Sequence, residues 1–161
     1  MAAVRKAASA ESLQSLPKAF GSRLVVIEVD VASVDTIKYG IASLETEQDI
    51  DSLDVVLANA GVAAVSPSLT EAGVSDIQPF LDVNAYGQLE LFKAVAPLLR
   101  KSKSDNRGKF MYMSSLGGSL TTMNTVAPLS AYGASKALGN FLFKWLSLEQ
   151  QDVIVWSQHP G

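Results

Sequence analysis

Four short apolar runs, at 24–29, 53–58, 109–113 and 153–157, are rich in Val, Ile, Leu, Phe or Met and lack strict polar–apolar alternation. Strands buried in a parallel sheet read this way, because both of their faces meet helices. Between the runs lie segments of helical spacing, at 34–44, 75–100 and 130–148. In the last of these, Ala137, Leu138, Phe141, Leu142, Trp145 and Leu148 recur at amphipathic spacing, and Ser130 after Pro128 is placed to cap the helix. Strands and helices alternating with crossovers of this length predict right-handed βαβ units, hence an α/β fold built on a doubly wound parallel sheet.

At 161 residues the chain has the length of one domain, near the lower size for a complete α/β nucleotide-binding enzyme. Charged residues make up only 18%, below the roughly 25% of an average soluble domain, so elements covered on both faces are expected. A net charge of −3 and a pI near 5.1 provide no basic stripe for a phosphate backbone, which argues against nucleic acid as a partner. With no cysteine, disulfides, thiolate zinc sites and a Cys nucleophile are excluded. His159 is the single histidine, read as a structural or rim residue, so no metal is expected. The most apolar stretch, 53–65, is interrupted by Asp54 and Asn59 and is too short to span a bilayer. A cytoplasmic protein without membrane contact is therefore expected.

The runs end alike. Asp30 follows the first, Asn59-Ala60-Gly61 the second, Ser114-Ser115 the third and Gln158-His159-Pro160-Gly161 the fourth. Ligands bind at the carboxyl ends of the strands in open α/β sheets, so these residues are expected on one rim. On the last helix, Tyr132 and Lys136 stand four residues apart and so share a face. A neighbouring ammonium favours a phenolate, lowering a pKa that starts near about 10, and a phenol so tuned is a general acid at neutral pH. Each residue taken singly also has an ordinary structural use, as a cap, a turn or a solvated helix position.

In this order the motifs resemble those of the short-chain dehydrogenase/reductase family, over essentially the whole chain. Asp30-Val31 resembles the family's adenine-contacting acid, and Asn59-Ala60-Gly61 its Asn-Ala-Gly turn. Asp82-Val83-Asn84 resembles the motif of the active-site asparagine, Ser115 matches the catalytic serine, and Tyr132 with Lys136 matches Tyr-x-x-x-Lys. Pro160-Gly161 resembles the Pro-Gly beside the nicotinamide. Within the family, residues 127–136 are similar to fungal ketoreductases of the norsolorinic acid ketoreductase type.

The resemblance implies that Tyr132 donates a proton to a carbonyl substrate while Ser115 orients it. It implies that Lys136 tunes Tyr132 and binds ribose, and that Asn84 holds a water in the relay. Ser114 and Ser119 stand as alternatives to Ser115. Cofactor contacts are then expected from Arg5, Asp30, Asn59, Ala60, Gly61, Tyr132, Lys136, Pro160 and Gly161. Arg5 points to NADP(H), with NAD(H) as the alternative. The partner is a small carbonyl or alcohol compound, in fungal secondary metabolism by the subgroup likeness. The segments 75–100 and 130–148 match the family's subunit interface, so a homo- or hetero-oligomer is expected.

The family's Thr-Gly-x-x-x-Gly-x-Gly phosphate loop is not found among these residues. The whole chain, 1–161, is accordingly expected to be a partial Rossmann-like NAD(P)-binding domain, truncated at both ends, lacking the first strand, the Gly-rich loop and the last strand. The family's first strand is central, so the run at 53–58 should lose a neighbour, and the run at 24–29 its route into the sheet. A catalytically inactive remnant that pairs with a full-length relative is the alternative to an active reductase.

Overall fold

The computed structural model describes residues 1–104, 107–123 and 128–160. Five parallel strands form: β1 (Ala2–Val4), β2 (Val26–Glu28), β3 (Val55–Ala58), β4 (Gly108–Met113) and β5 (Val153–Gln158). They divide into two sheets, β1-β2 and β3-β4-β5, and among the described residues no strand pair joins them. A sheet without its central strand divides in this way. The helices are the short α1 (Glu11–Gln14), then α2 (Val34–Gln48), α3 (Val74–Leu81), α4 (Gly87–Arg100) and α5 (Ser130–Glu149).

Register places Val56, Phe110 and Val155 in one row across the larger sheet. On that face Phe110 meets Phe92 of α4 edge-on, with ring centroids 5.1 Å apart, and stacks on Phe143 of α5 at 5.4 Å. Tyr112 also stacks on Phe143, at 4.5 Å. Burying each such ring contributes roughly 1.5–3 kcal/mol. Helix α4 packs between α2 and α5 on this face, and one core runs from Val25, Ile27 and Val29 to Val153 and Val155. The two sheets are thus joined by side chains. The composition led us to expect cover on both faces, but Val55 and Leu57, which point the other way, are 51% and 61% exposed.

The expected helix at 75–100 is interrupted by a π turn, Asp82–Tyr86, in which the Gly87 N–H donates to Asp82 O five residues back. Helix α2 runs past its expected end to Gln48 and stops at Asp49, whose φ of 53° lies in the left-handed region that Asp tolerates.

The start of α5 corrects another expectation. Ser130 is its first residue, and Leu129 before it offers no side-chain cap. The cap comes from the loop after β3: the Ala131 N–H donates to Ser66 Oγ at 3.3 Å, and the Ser66 N–H donates to Pro128 O at 3.0 Å. Ser66 is only 7% exposed, so this clasp between two distant loops is an interior one. Among the described residues no helix is long and apolar enough to cross a membrane.

Candidate active site

The buried ammonium of Lys136 lies at the carboxyl end of β4 and donates to Met113 O at 2.7 Å. Its Nζ lies 5.8 Å from the Tyr132 ring centroid and 5.1 Å from that of Tyr112. Burial lowers its pKa to about 8, because desolvation penalises the charged form. Lys136 is therefore an ammonium at neutral pH that releases its proton more readily than an exposed lysine.

Ser115 leaves the end of β4 and caps a short 3-10 turn, Leu116–Gly118, its Oγ accepting from the Gly117 N–H at 3.2 Å. A Cβ placed on Gly117 would lie 3.5 Å from Tyr132 Cε1 and 3.6 Å from Ser115 Oγ, so this glycine sits between phenol ring and hydroxyl. Both side chains are half-buried. Ser114 Oγ instead donates to Asn140 Oδ1 at 2.6 Å, and Ser119 Oγ shares a hydrogen bond with Thr121 Oγ1 at 3.1 Å. Of the three serines, Ser115 is the one this glycine sets beside Tyr132.

Asn84 lies in the π turn and is fully buried. Its Oδ1 accepts from the Val62 N–H at 2.8 Å, while its Nδ2 donates to Val62 O at 2.8 Å and to Ser135 Oγ at 2.9 Å. Its backbone carbonyl accepts from the Tyr112 hydroxyl at 2.9 Å. Burial pushes the Tyr112 phenol up, with the neighbouring Tyr132 adding to it, so Tyr112 stays a neutral donor. A Cβ on Gly61 would stand 3.1 Å from Asn84 Oδ1 and 3.6 Å from Lys136 Nζ. The bare glycine therefore leaves a cradle directly beside the ammonium, one that a side chain would fill.

Tyr132, Lys136, Ser115, Asn84 and Gly61 are thus gathered at the carboxyl ends of β3 and β4. Ala60 joins them through its carbonyl, which accepts from Gln88 Nε2 at 2.9 Å. Asn59 is exposed on the same turn, its N–H donating to Leu57 O at 3.0 Å.

Asp30 and Arg5 form a separate group on the smaller sheet. Val4 pairs with Glu28, so both residues leave the same rim of β1 and β2. Asp30 is no helix cap: Oδ1 accepts from the Ala32 N–H at 3.0 Å within its own turn, and Ser33 caps α2. A Cβ on Gly87 would collide with Val31 O, so this turn abuts the start of α4, just after the π turn that carries Asn84. Pro160 is exposed just beyond β5, and Gly161 and Ala127 lie outside the described residues.

The sequence reading passed over Gln88 and Tyr112. Gln88 had a signal, since Asn84, Gln88, Phe92, Val95 and Leu99 follow one helix face and the first two are polar among apolar neighbours.

Residues 1–152 match a family model of short-chain dehydrogenases described as "Enoyl-(Acyl carrier protein) reductase". The chain belongs to the short-chain dehydrogenase/reductase family. It is 54% identical over 161 residues to the short chain dehydrogenase gsfK of Penicillium aethiopicum, covering 100% of this chain and 64% of that protein. It is 30% identical over 164 residues to the norsolorinic acid ketoreductase nor1 of Dothistroma septosporum, covering 100% and 61%. Among solved structures it resembles the carbonyl reductase Sniffer of D. melanogaster, with a TM-score of 0.83, 29% identity, and 99% of this chain covering 67% of that one. The chain thus spans a little over three-fifths of the length of these curated short-chain dehydrogenase relatives.

Proposed function

We propose that this chain carries the proton-transfer half of an NADP(H)-dependent ketoreductase acting on a small carbonyl compound. The observation that carries the reading is the convergence of Tyr132, Ser115, Lys136 and the Gly61 cradle on one rim. The ketoreductase and carbonyl reductase names of the relatives support it.

A nicotinamide dinucleotide suits this arrangement: the cradle at Gly61 admits a group beside a cationic Lys136, and Asp30 and Arg5 leave the carboxyl rim of the smaller sheet. Bound there, it would supply the hydride. Asn59, Ala60, Gly61, Lys136, Pro160 and Gly161 would hold its nicotinamide and ribose end, Asp30 its adenine end, and Arg5 a 2′-phosphate. Tyr132 Oη gives its proton to the substrate carbonyl oxygen, and the Ser115 hydroxyl donates a hydrogen bond to that same oxygen and fixes its direction. The Lys136 ammonium stands beside the Tyr132 ring, its Nζ 5.8 Å from the centroid. Asn84 acts through position, and its carbonyl has a second lone pair for the relay that the family resemblance implies.

The test is reduction of an aromatic ketone by the protein with NADPH, followed through nicotinamide absorbance. Tyr132→Phe should lower kcat by about 10²–10⁴-fold with little change in NADPH affinity. Unchanged turnover in this variant would end the reading.

A second reading, a non-catalytic chain that pairs with a longer relative, is favoured by the outer face of α5. Phe141, Trp145 and Leu148 are 62%, 54% and 62% exposed there, and the first two line a groove of about 310 Å³ together with Leu89 and Leu142. It predicts co-purification with such a relative, weakened by Trp145→Glu. A strictly monomeric product would oppose it, along with any homo-oligomer through α4 and α5.

A further inference from the structure

Gln88 is fully buried on the face of α4 that otherwise presents Phe92, Val95 and Leu99 to the core. Its Nε2 donates to Ala60 O at 2.9 Å and to Val83 O at 3.1 Å. Two carbonyl acceptors fix which end of the amide is nitrogen. Its Oε1 is buried with no hydrogen-bond partner among the described residues. Burying an acceptor without a partner costs stability, and an apolar side chain of similar size would avoid that cost. What the amide provides in return is a hold on the turn.

That turn has few other holds. Residues 59–61 are exposed, and among the described residues no strand flanks β3 on the side away from β4. Asn84 grips Val62 through both its N–H and its carbonyl, and Gln88, one helical turn further on, grips Ala60. Gly61 lies between these two grips, and the position its Cβ would take is 3.6 Å from Lys136 Nζ. Releasing Ala60 would leave the segment hinged at Val62 alone, free to move against the ammonium.

We propose that Gln88 is a positioning residue that holds the Ala60–Gly61 turn at its height over Lys136, and so sets how tightly a dinucleotide is gripped there. The second half rests on the reductase reading, while the first does not. Gln88 touches none of the reacting groups and acts only through the turn.

Gln88→Met removes the donor and the orphaned acceptor while keeping the volume. Gln88→Leu is a second donor-free side chain, in case Met packs badly. In both, amide hydrogen exchange at Val62 should quicken by about tenfold, as expected for loss of one buried hydrogen bond, while Phe110 in β4 keeps its protection. The KM for NADPH should rise by roughly tenfold with kcat within about twofold, the signature of lost uniform binding. A merely structural glutamine would change Val62 and Phe110 together and leave the KM-to-kcat split unmoved. Unaltered Val62 exchange in both variants overturns the positioning role. If the wild type binds no NADPH, the reductase reading fails, and the Val62 amide alone decides the role of Gln88.

Discussion

At the carboxyl end of β4, Lys136 and Asn84 are held from several sides, whereas at the carboxyl ends of β1 and β2 the polar residues rest on little more than local turns. Around Lys136, the backbone of β4, the π turn, the Ala60–Val62 segment and the first turn of α5 are cross-linked by buried and part-buried hydrogen bonds. Around Asp30 the bonds stay within the turn into α2, and Arg5 is exposed. Proton transfer needs geometry held to a fraction of an ångström, while a cation facing a phosphate tolerates slack. The two regions are therefore built to different tolerances.

The sharpest test of that contrast is Gly139→Ala. A Cβ there would fall inside the Tyr112 hydroxyl, which lies against α5 and donates to Asn84 O. Overpacking and a broken buried hydrogen bond together should cost about 3 kcal/mol, read by denaturant unfolding. Tyr112→Val should relieve much of that cost in a double-mutant cycle. A loss below about 0.5 kcal/mol would mean that the region is as slack as the other.

A smaller effect is expected from pH. With Lys136 lowered to about 8 in the fold and at its ordinary 10.5 when unfolded, the unfolded chain binds more protons between those values. The wild type should therefore gain stability relative to Lys136→Met as pH rises through that window, with the charge-burial penalty fully present below about 8. A stability difference that is flat with pH would show that the amine is not desolvated. Smallest of all, Asp30→Ala and Arg5→Ala should each shift stability by no more than about 0.5 kcal/mol. Their effect should appear in the ratio of NADPH to NADH affinity. A large stability loss from either would erase the distinction between the two regions.

The tight region was also the more legible in the sequence. Tyr132 and Lys136 announce themselves by helical spacing, and Ser115 and Gly61 by following apolar runs, because both signals are local. The divided sheet followed from the family's strand order. What holds the groups in place was not legible. Ser66 caps a helix 65 residues away, and Tyr112 meets Asn84 across 28. Contacts of that range leave no trace in periodicity. The π turn changes a hydrogen-bond register without changing composition, so one helix was expected where two segments meet.

That wide turn amounts to one extra residue threaded into an α-helical rod. Excising Ala85 or Tyr86 would mend the rod with its two flanks still nearly in phase, because a single wide turn absorbs the extra residue, but Asn84 and Gln88 would stand three residues apart instead of four. The two side chains would then be aimed afresh relative to each other, and the loop they jointly carry would lose the match between its two grips. In this stretch, substitutions can accumulate long before a deletion is survivable.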